Sequence, residues 1–213
     1  MFKILATAVA LSLVAFGAQA ATILASSDQN VGNTADIYGA AYSAYTPSGA
    51  VWSDDPTRLV PPGNQTSVSK SPFSGTSLQD VQSYFAVGSN DDTLGGAPSP
   101  VTLTFSGVQD AFKILWGSID SYNSITFSLG TTDVLTYTGN QLAAALGISP
   151  ATGFARYEKV ALVSFEDLSF DKVTFTSSSA AFEFALAPVP LPAGGLLLIG
   201  AIGGLAALRR RKA

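Results

Sequence analysis

Across residues 21–187, hydrophobic and polar residues mostly alternate, in short runs rich in Thr, Val, Phe and Tyr. Gly, Asn, Asp, Ser or Pro bounds these runs. Such a period of two is typical of strands that bury one face. It predicts strands over 101–105, 111–116, 124–129, 133–137, 159–165, 172–176 and 181–186. Their even spacing and short turns favour an all-β domain, an antiparallel β-sandwich of jelly-roll-like type.

Only residues 141–146 have a helical pattern, which we expect to make about two turns and to end at Gly147. Before residue 101 the sequence is polar and rich in turn-forming residues, so fewer strands and longer loops are expected there. The sequence contains no internal repeat of fixed period. Residues 21–187 are expected to form one domain, because about 167 residues suffice for a single core.

The first twenty residues have the features of a secretory signal peptide, with a positive charge at Lys3 followed by an apolar run over 4–16. Signal peptidase requires two small side chains before its cleavage site. Ala18 and Ala20 supply them, so cleavage is expected before Ala21. The alternative is an uncleaved anchor, but an apolar run of about thirteen residues is short of the roughly 20 that span a bilayer.

The C-terminus combines a short apolar segment with a basic cluster. Residues 191–208 carry no charge, and as a helix they would extend about 27 Å at about 1.5 Å per residue, which is marginal for a membrane span. The positive-inside preference places the following cations in the cytoplasm and the domain outside. Pro190, Pro192 and several glycines weaken a permanent helix, which suits the substrate of a membrane protease. The cluster consists of Arg209, Arg210, Arg211 and Lys212.

The apolar segment begins within a short motif, which consists of Val189, Pro190, Leu191, Pro192 and Ala193. With the Gly-rich segment and the basic cluster, this motif resembles the VPLPA variant of the PEP-CTERM sorting signal of Gram-negative bacteria. The resemblance implies that residues 188–213 are read by an exosortase, a membrane cysteine transpeptidase that cuts near the motif and delivers the protein to the cell surface or matrix. Leu191 stands where the commoner form has Glu. An ordinary stop-transfer anchor is the alternative, with Gly200 and Gly204 serving helix packing.

Two further segments resemble surface proteins sorted by exosortases. Residues 116–123 read W-G-S-x-D-x-x-N, and residues 182–184 read F-E-F in the last predicted strand. Family versions often continue with an Asp-Asn pair, where this chain has Ala185 and Leu186. The resemblance implies a surface domain and names no ligand.

Charge and composition exclude several function classes. Residues 21–187 hold all fifteen carboxylates and six cations, a formal charge of −9, so nucleic acid is not expected as a partner. The chain has no cysteine, so no disulfide stabilises the exported domain. It also has no histidine, which excludes histidine-dependent serine and cysteine hydrolase triads and His-ligated zinc or iron sites.

Ser118, Asp120 and Asn123 form a cluster of oxygen donors in one predicted turn. Such donors suit Ca²⁺, a hard cation, but they equally suit an Asx turn that satisfies the backbone, and we favour the turn. No cofactor other than this candidate Ca²⁺ is expected. The pairs Asp54-Asp55 and Asp91-Asp92 lack the spacing of an EF-hand and are expected at the surface.

Aromatic and acidic residues provide the remaining candidates. Trp116 and Tyr122, with Trp52, would stack on a sugar ring if they were exposed, but for Trp116 we favour a place in the core. A glycosidase would require two carboxylates that face one another across a cleft. Glu158, Glu166 and Glu183 are available, yet no local pattern marks any of them as catalytic.

The sequence thus predicts an exported protein without enzymatic activity. It is expected to pass signal peptidase, to remain transiently in the inner membrane with its domain outside, and to reach the surface or matrix through an exosortase-type transpeptidase. A structural or interaction role in the envelope or biofilm is the first hypothesis. A carbohydrate-binding module for exopolysaccharide is the alternative, and a secreted hydrolase is the third.

Overall fold

The computed structural model describes residues 22–27, 42–58, 63–66, 68–88, 95–148 and 159–186. Several predictions fall outside these described residues, namely the signal peptide 1–20 with its site before Ala21, the sorting signal 188–213, Asp91, Asp92 and Glu158. Within the described ranges, no helix is both long enough and apolar enough to cross a membrane.

Within the described part of the chain, the regular secondary structure consists of β-strands and one short helix, α1 (Gly139–Ala145). Its strands are β1 (Thr22–Ser27), β2 (Ala50–Trp52), β3 (Thr57–Arg58), β4 (Asn64–Gln65), β5 (Ser69–Lys70), β6 (Tyr84–Val87), β7 (Val101–Gln109), β8 (Phe112–Trp116), β9 (Asn123–Leu129), β10 (Thr132–Thr138), β11 (Ala161–Glu166), β12 (Phe170–Ser177) and β13 (Phe182–Leu186).

The strands form two large sheets and one small hairpin. The six-stranded sheet has the order β1-β11-β8-β13-β6-β3, the five-stranded sheet has the order β10-β9-β12-β7-β2, and β4 pairs with β5. Every pair of neighbouring strands in these sheets is antiparallel. The all-β, antiparallel class predicted from the sequence is therefore confirmed.

Each strand predicted after residue 100 is present, and β7 continues beyond its predicted end to Gln109. The helix begins at Gly139, two residues before the predicted start at Gln141, because Thr138 caps it. The side-chain oxygen of Thr138 accepts a hydrogen bond from Gln141 N, and Gln141 Oε1 accepts one from Thr138 N. This reciprocal pair is a capping box, which satisfies two backbone donors at the helix start.

Side chains from both large sheets meet in one hydrophobic cluster. Phe175 of β12 stacks on Phe184 of β13, with ring centroids 4.1 Å apart and an interplanar angle of 5°. Phe112 of β8 meets Phe127 of β9 edge to face at 5.8 Å. Aromatic contacts of this kind add about 0.5–1.5 kcal/mol each beyond the area that they bury.

A second, smaller hydrophobic cluster lies on the opposite side of the six-stranded sheet. It includes Phe73, Tyr84, Leu115 and Ala185. Strand β13 therefore has both faces covered, and all of its residues are buried. Because side chains alternate along a strand, Phe182 and Phe184 face the large core while the intervening Glu183 is directed to the other side. An acidic side chain is thus buried in the second layer.

Candidate functional site

The two segments that the sequence singled out, 116–123 and 182–184, are neighbours in the fold. Strands β8 and β13 pair antiparallel, with Phe184 opposite Trp116. Gly117 N donates a hydrogen bond of 2.8 Å to Glu183 O. A Cβ at position 117 would lie only 2.7 Å from Glu183 O, so the close approach requires glycine. The motif W-G-S therefore fits directly against the motif F-E-F.

Glu183 ties three segments together. Its carboxyl Oε2 accepts a hydrogen bond of 2.7 Å from Ser118 Oγ, in the loop after β8. Its Oε1 accepts a second bond of 2.7 Å from Lys70 N, in the β4–β5 hairpin. Glu183 is only 2% exposed. One buried carboxyl group therefore fixes the hairpin and the loop against β13.

Burial raises the pKa of Glu183 to about 8, chiefly because the surroundings desolvate the charged form. The nearby Asp120 acts in the same direction, while the hydrogen bonds from Lys70 N and Ser118 act against the shift. At neutral pH the Glu183 carboxyl group is therefore mainly protonated. Its neutral form keeps both contacts, because the lone pairs that remain on the protonated carboxyl group still accept from Ser118 Oγ and from Lys70 N.

The hairpin, the loop after β8 and the turn before β13 enclose an open pocket of about 290 Å³. Most of the residues that line it are polar, among them Gln65, Lys70, Ser118, Asp120, Tyr122 and Glu183. The Tyr122 ring is half-buried, and its hydroxyl donates a hydrogen bond of 3.3 Å to Ala180 O. The wall thus combines carboxyl, amide, hydroxyl and ammonium groups with one aromatic ring.

A buried polar network supports the hairpin wall of this pocket. Tyr84 Oη lies 3.1 Å from Ser69 Oγ and donates a bond of 2.8 Å to Gly63 O. Arg58 is fully buried, and its Nη2 donates a hydrogen bond to Gln65 Oε1. Burial also raises the pKa of the Tyr84 hydroxyl, which keeps this group protonated. Buried polar contacts of this kind fix a unique geometry when they are satisfied.

Two of the three predicted calcium ligands, Ser118 and Asn123, make hydrogen bonds to other residues of the protein. Ser118 Oγ donates to Glu183. Asn123 Oδ1 accepts a bond of 2.6 Å from Ser177 Oγ, and Asn123 Nδ2 donates one of 3.3 Å to Ala181 O. Within the described ranges, no group of three or more Asp, Glu, His or Cys residues is arranged to hold a metal. The side chains of Ser118 and Asn123 thus bond to residues outside their own loop, and both the calcium hypothesis and the Asx-turn interpretation stay predictions.

The hypothesis that Trp116 and Tyr122 stack together on a sugar is wrong for Trp116. Its side chain is 0% exposed and its ring centroid lies 4.5 Å from that of Phe182, so it belongs to the core, as we favoured. Trp52 is half-buried and its ring centroid lies 4.8 Å from that of Phe85. Of the two proposed stacking residues, only Tyr122 lines the pocket.

The remaining candidates lie at or near the surface. Asp54 and Asp55 are exposed, as predicted, and they accept hydrogen bonds from Asp55 N and Thr57 N, each of 3.0 Å. Glu166 lies on β11, where its Oε1 is 4.0 Å from Lys113 Nζ. Glu183, which no local pattern marked, is instead buried, and with Asp120 it is one of two buried carboxyl groups that line the pocket. The single acidic residue among the phenylalanines of β13 was the available signal.

Comparison of the chain with protein-family models, curated proteins and solved structures finds no match. The chemistry of the pocket is therefore interpreted from its own residues. Asp120 and Glu183 both line it, and both are 2% exposed. Small-molecule sites typically combine a few directed polar groups with an apolar or aromatic wall, and this pocket has that composition.

Proposed function

We propose that this chain is an exported protein of the bacterial envelope or extracellular matrix, with a structural or interaction role and no enzymatic activity. Its domain is proposed to be a β-sandwich of jelly-roll-like type over residues 21–187, between a signal peptide at 1–20 and a sorting signal at 188–213. The aromatic contacts between the two large sheets support the sandwich architecture.

The observation that carries this proposal is the three-part C-terminus. A Pro-containing motif at 189–193 precedes an uncharged segment at 191–208, and four cations follow at 209–212. The motif provides an extended chain for an exosortase-type transpeptidase, while the cations stop translocation. Signal peptidase and the inner membrane are the other expected partners, and the membrane holds the protein only until the tail is processed.

The sorting step is tested by replacing both prolines of the motif with alanine, Pro190→Ala and Pro192→Ala, in the producing cells. The helix can then extend through the motif, so unprocessed full-length protein should accumulate in the inner membrane. Pro188→Ala is the matched control, because it removes a proline just outside the motif and should leave processing unchanged. Immunoblots of membrane, periplasmic and surface fractions measure the result.

A second set of variants separates sorting from anchoring. Neutral replacements of Arg209, Arg210, Arg211 and Lys212 should weaken the stop-transfer signal, so that unprocessed protein leaks into the periplasm. Cleavage and surface delivery of the double proline variant at the wild-type rate would show that the tail is a simple anchor and not a sorting signal.

A further inference from the structure

We propose that the pocket between the β4–β5 hairpin and the loop after β8 binds a neutral saccharide, either a free sugar or the exposed end of a glycan. The proposal goes beyond export and sorting, because it concerns a site within the folded domain and does not depend on the tail. It rests on the size of the pocket, its chemistry, its charge balance and the rigidity of its walls.

The volume of the pocket sets the size of the ligand. At about 290 Å³ it is close to the lower limit of small-molecule sites, which is about 300 Å³. Its open side allows part of a longer chain to remain in solvent. One or two sugar rings fit this description, whereas a folded protein partner would require a much larger surface of about 800 Å² per side.

The lining residues suit a ligand with many hydroxyl groups. The carboxyl oxygens of Asp120 are buried, so the polar groups offered to a ligand come from Gln65, Thr66 and Lys70, which line the pocket with an amide, a hydroxyl and an ammonium group. Each sugar hydroxyl both donates and accepts, so it can pair with any of these groups. Tyr122 adds an aromatic ring that is half-buried and anchored through its hydroxyl to Ala180 O. Such a ring packs against the apolar C–H face of a pyranose.

The charge of the pocket favours a neutral ligand. The groups that face Glu183 are the backbone N–H of Lys70, the Asp120 carboxyl group in the loop and the Tyr84 hydroxyl from β6. The Glu183 carboxyl group and the Tyr84 hydroxyl are both largely protonated at pH 7. The remaining formal charges are those of Lys70 and Asp120 in the lining and of Arg58, which is bonded to Gln65. Charges of both signs are therefore present, so the pocket does not present charge of one sign only.

The walls hold their positions without a ligand. Glu183 binds Lys70 N on one side and Ser118 Oγ on the other. Gln65 is held by the buried Arg58, and Ser69 lies 3.1 Å from the Tyr84 hydroxyl. A site that is already ordered loses less conformational entropy on binding, which improves affinity for a small polar ligand.

Binding is measured by saturation-transfer NMR and calorimetry on the full chain purified in detergent. The probes are glucose, galactose, mannose and N-acetylglucosamine with their disaccharides, and glucosamine and glucuronate serve as cationic and anionic counterparts. We expect saturable binding of at least one neutral probe. Tyr122→Leu should weaken it by about two- to thirteenfold, since an aromatic contact contributes about 0.5–1.5 kcal/mol. Tyr122→Phe should retain binding.

Two further variants keep the test decisive. Tyr45→Leu is the matched control, because Tyr45 is a half-buried tyrosine outside the pocket lining, and it should bind like the wild type. Thr66→Trp adds bulk at an exposed position of the pocket wall without altering the core, and it should abolish binding. Absence of binding by every neutral probe, tighter binding of glucosamine or glucuronate, or unchanged affinity in both Tyr122→Leu and Thr66→Trp would overturn the proposal. Processing of the tail is measured by the immunoblots of cell fractions described above, so failure of the saccharide proposal and failure of the sorting proposal can be told apart.

Discussion

Ser118 Oγ donates a hydrogen bond of 2.7 Å to Glu183 Oε2, and the two residues are 65 positions apart in the sequence. Both are buried, with exposures of 7% and 2%. The other oxygen of the same carboxyl group accepts from Lys70 N, so the loop and the hairpin depend on one side chain of β13. The protonation state of Glu183 therefore affects the stability of the domain and the geometry of the pocket together.

Glu183 should make the folded protein less stable as the pH rises. Its folded pKa of about 8 lies above the ordinary value of 4.5, so between these pH values the folded state binds more protons than the unfolded state. Its contribution to stability is therefore complete below about pH 4.5 and is lost progressively as the pH rises to about 8. Glu183→Gln imitates the protonated form and should raise the free energy of unfolding at pH 9 by about 2–4 kcal/mol.

Denaturant unfolding at pH 5, 7 and 9 measures this effect. The difference between Glu183→Gln and the wild type should be small at pH 5 and should grow with pH. Glu166→Gln is the matched control, because the Glu166 side chain is 40% exposed and pairs only loosely with Lys113, at 4.0 Å. A Glu183→Gln protein that is destabilised equally at all three pH values would contradict the protonated state of this carboxyl group.

Gly117→Ala should destabilise the domain, because the new methyl group would lie 2.7 Å from Glu183 O and 3.1 Å from Glu183 Cβ. Backbone atoms cannot yield as a flexible side chain can, so we expect a cost of about 1–3 kcal/mol. Gly107→Ala in β7 is the control, because nothing lies within 4 Å of a Cβ there. Thermal melts compare the two variants. Equal midpoints would disprove the tight contact between the loop and β13.

Thr138→Ala should remove the cap of α1. The Thr138 hydroxyl accepts a bond of 3.2 Å from Gln141 N, and loss of an N-cap typically costs about 0.5–2 kcal/mol. Thr131→Ala changes an exposed turn residue and should alter the free energy of unfolding by less than about 0.5 kcal/mol. The same denaturant titrations measure both variants, and a similar effect of both would argue against the cap.

The strands in the second half of the chain were predictable because they are long and because buried and more exposed residues alternate along most of them. Strand β12 shows the alternation clearly, with Val173 and Phe175 buried and Thr174 and Thr176 less so. Strand β6 was missed because it is buried at every position, which leaves no period of two. The strands β3, β4 and β5 have two residues each and carry no periodic signal.

The candidate site was predictable only in part. The motif at 116–123 and the acidic residue in F-E-F were visible in the sequence, and the structure brings them together. The contribution of Lys70 was not predictable, because its backbone N–H makes the contact and any non-proline residue has one. The sequence favoured a core position for Trp116 but did not decide it, because an aromatic residue at the end of a strand packs equally well in a core or on a ligand.

Calcium should leave the thermal stability of the domain unchanged. A bound ion would stabilise the folded state by mass action, by about 2.7 kcal/mol at a hundredfold excess over its dissociation constant. Ser118 and Asn123 are already engaged with Glu183, Ser177 and Ala181, so we expect no such gain. Thermal unfolding in about 5 mM CaCl₂ and in the presence of a chelator should therefore have the same midpoint temperature. A higher midpoint with calcium, abolished by Asp120→Asn, would restore the metal site.

The proposed export predicts a mature protein that begins at Ala21. The apolar run at 4–16 is too short for a lasting membrane anchor, and the small side chains of Ala18 and Ala20 fit the pockets of signal peptidase. Mass spectrometry of the N-terminal peptide from native surface fractions should therefore find Ala21 first. Ala20→Tyr should block cleavage, because a large ring cannot enter the pocket, while Gln19→Tyr changes the neighbouring position and should be processed normally. Recovery of Met1 or Phe2 on the mature wild-type protein would instead make the N-terminus an anchor, and the domain would then remain attached to the membrane even after the tail is cut.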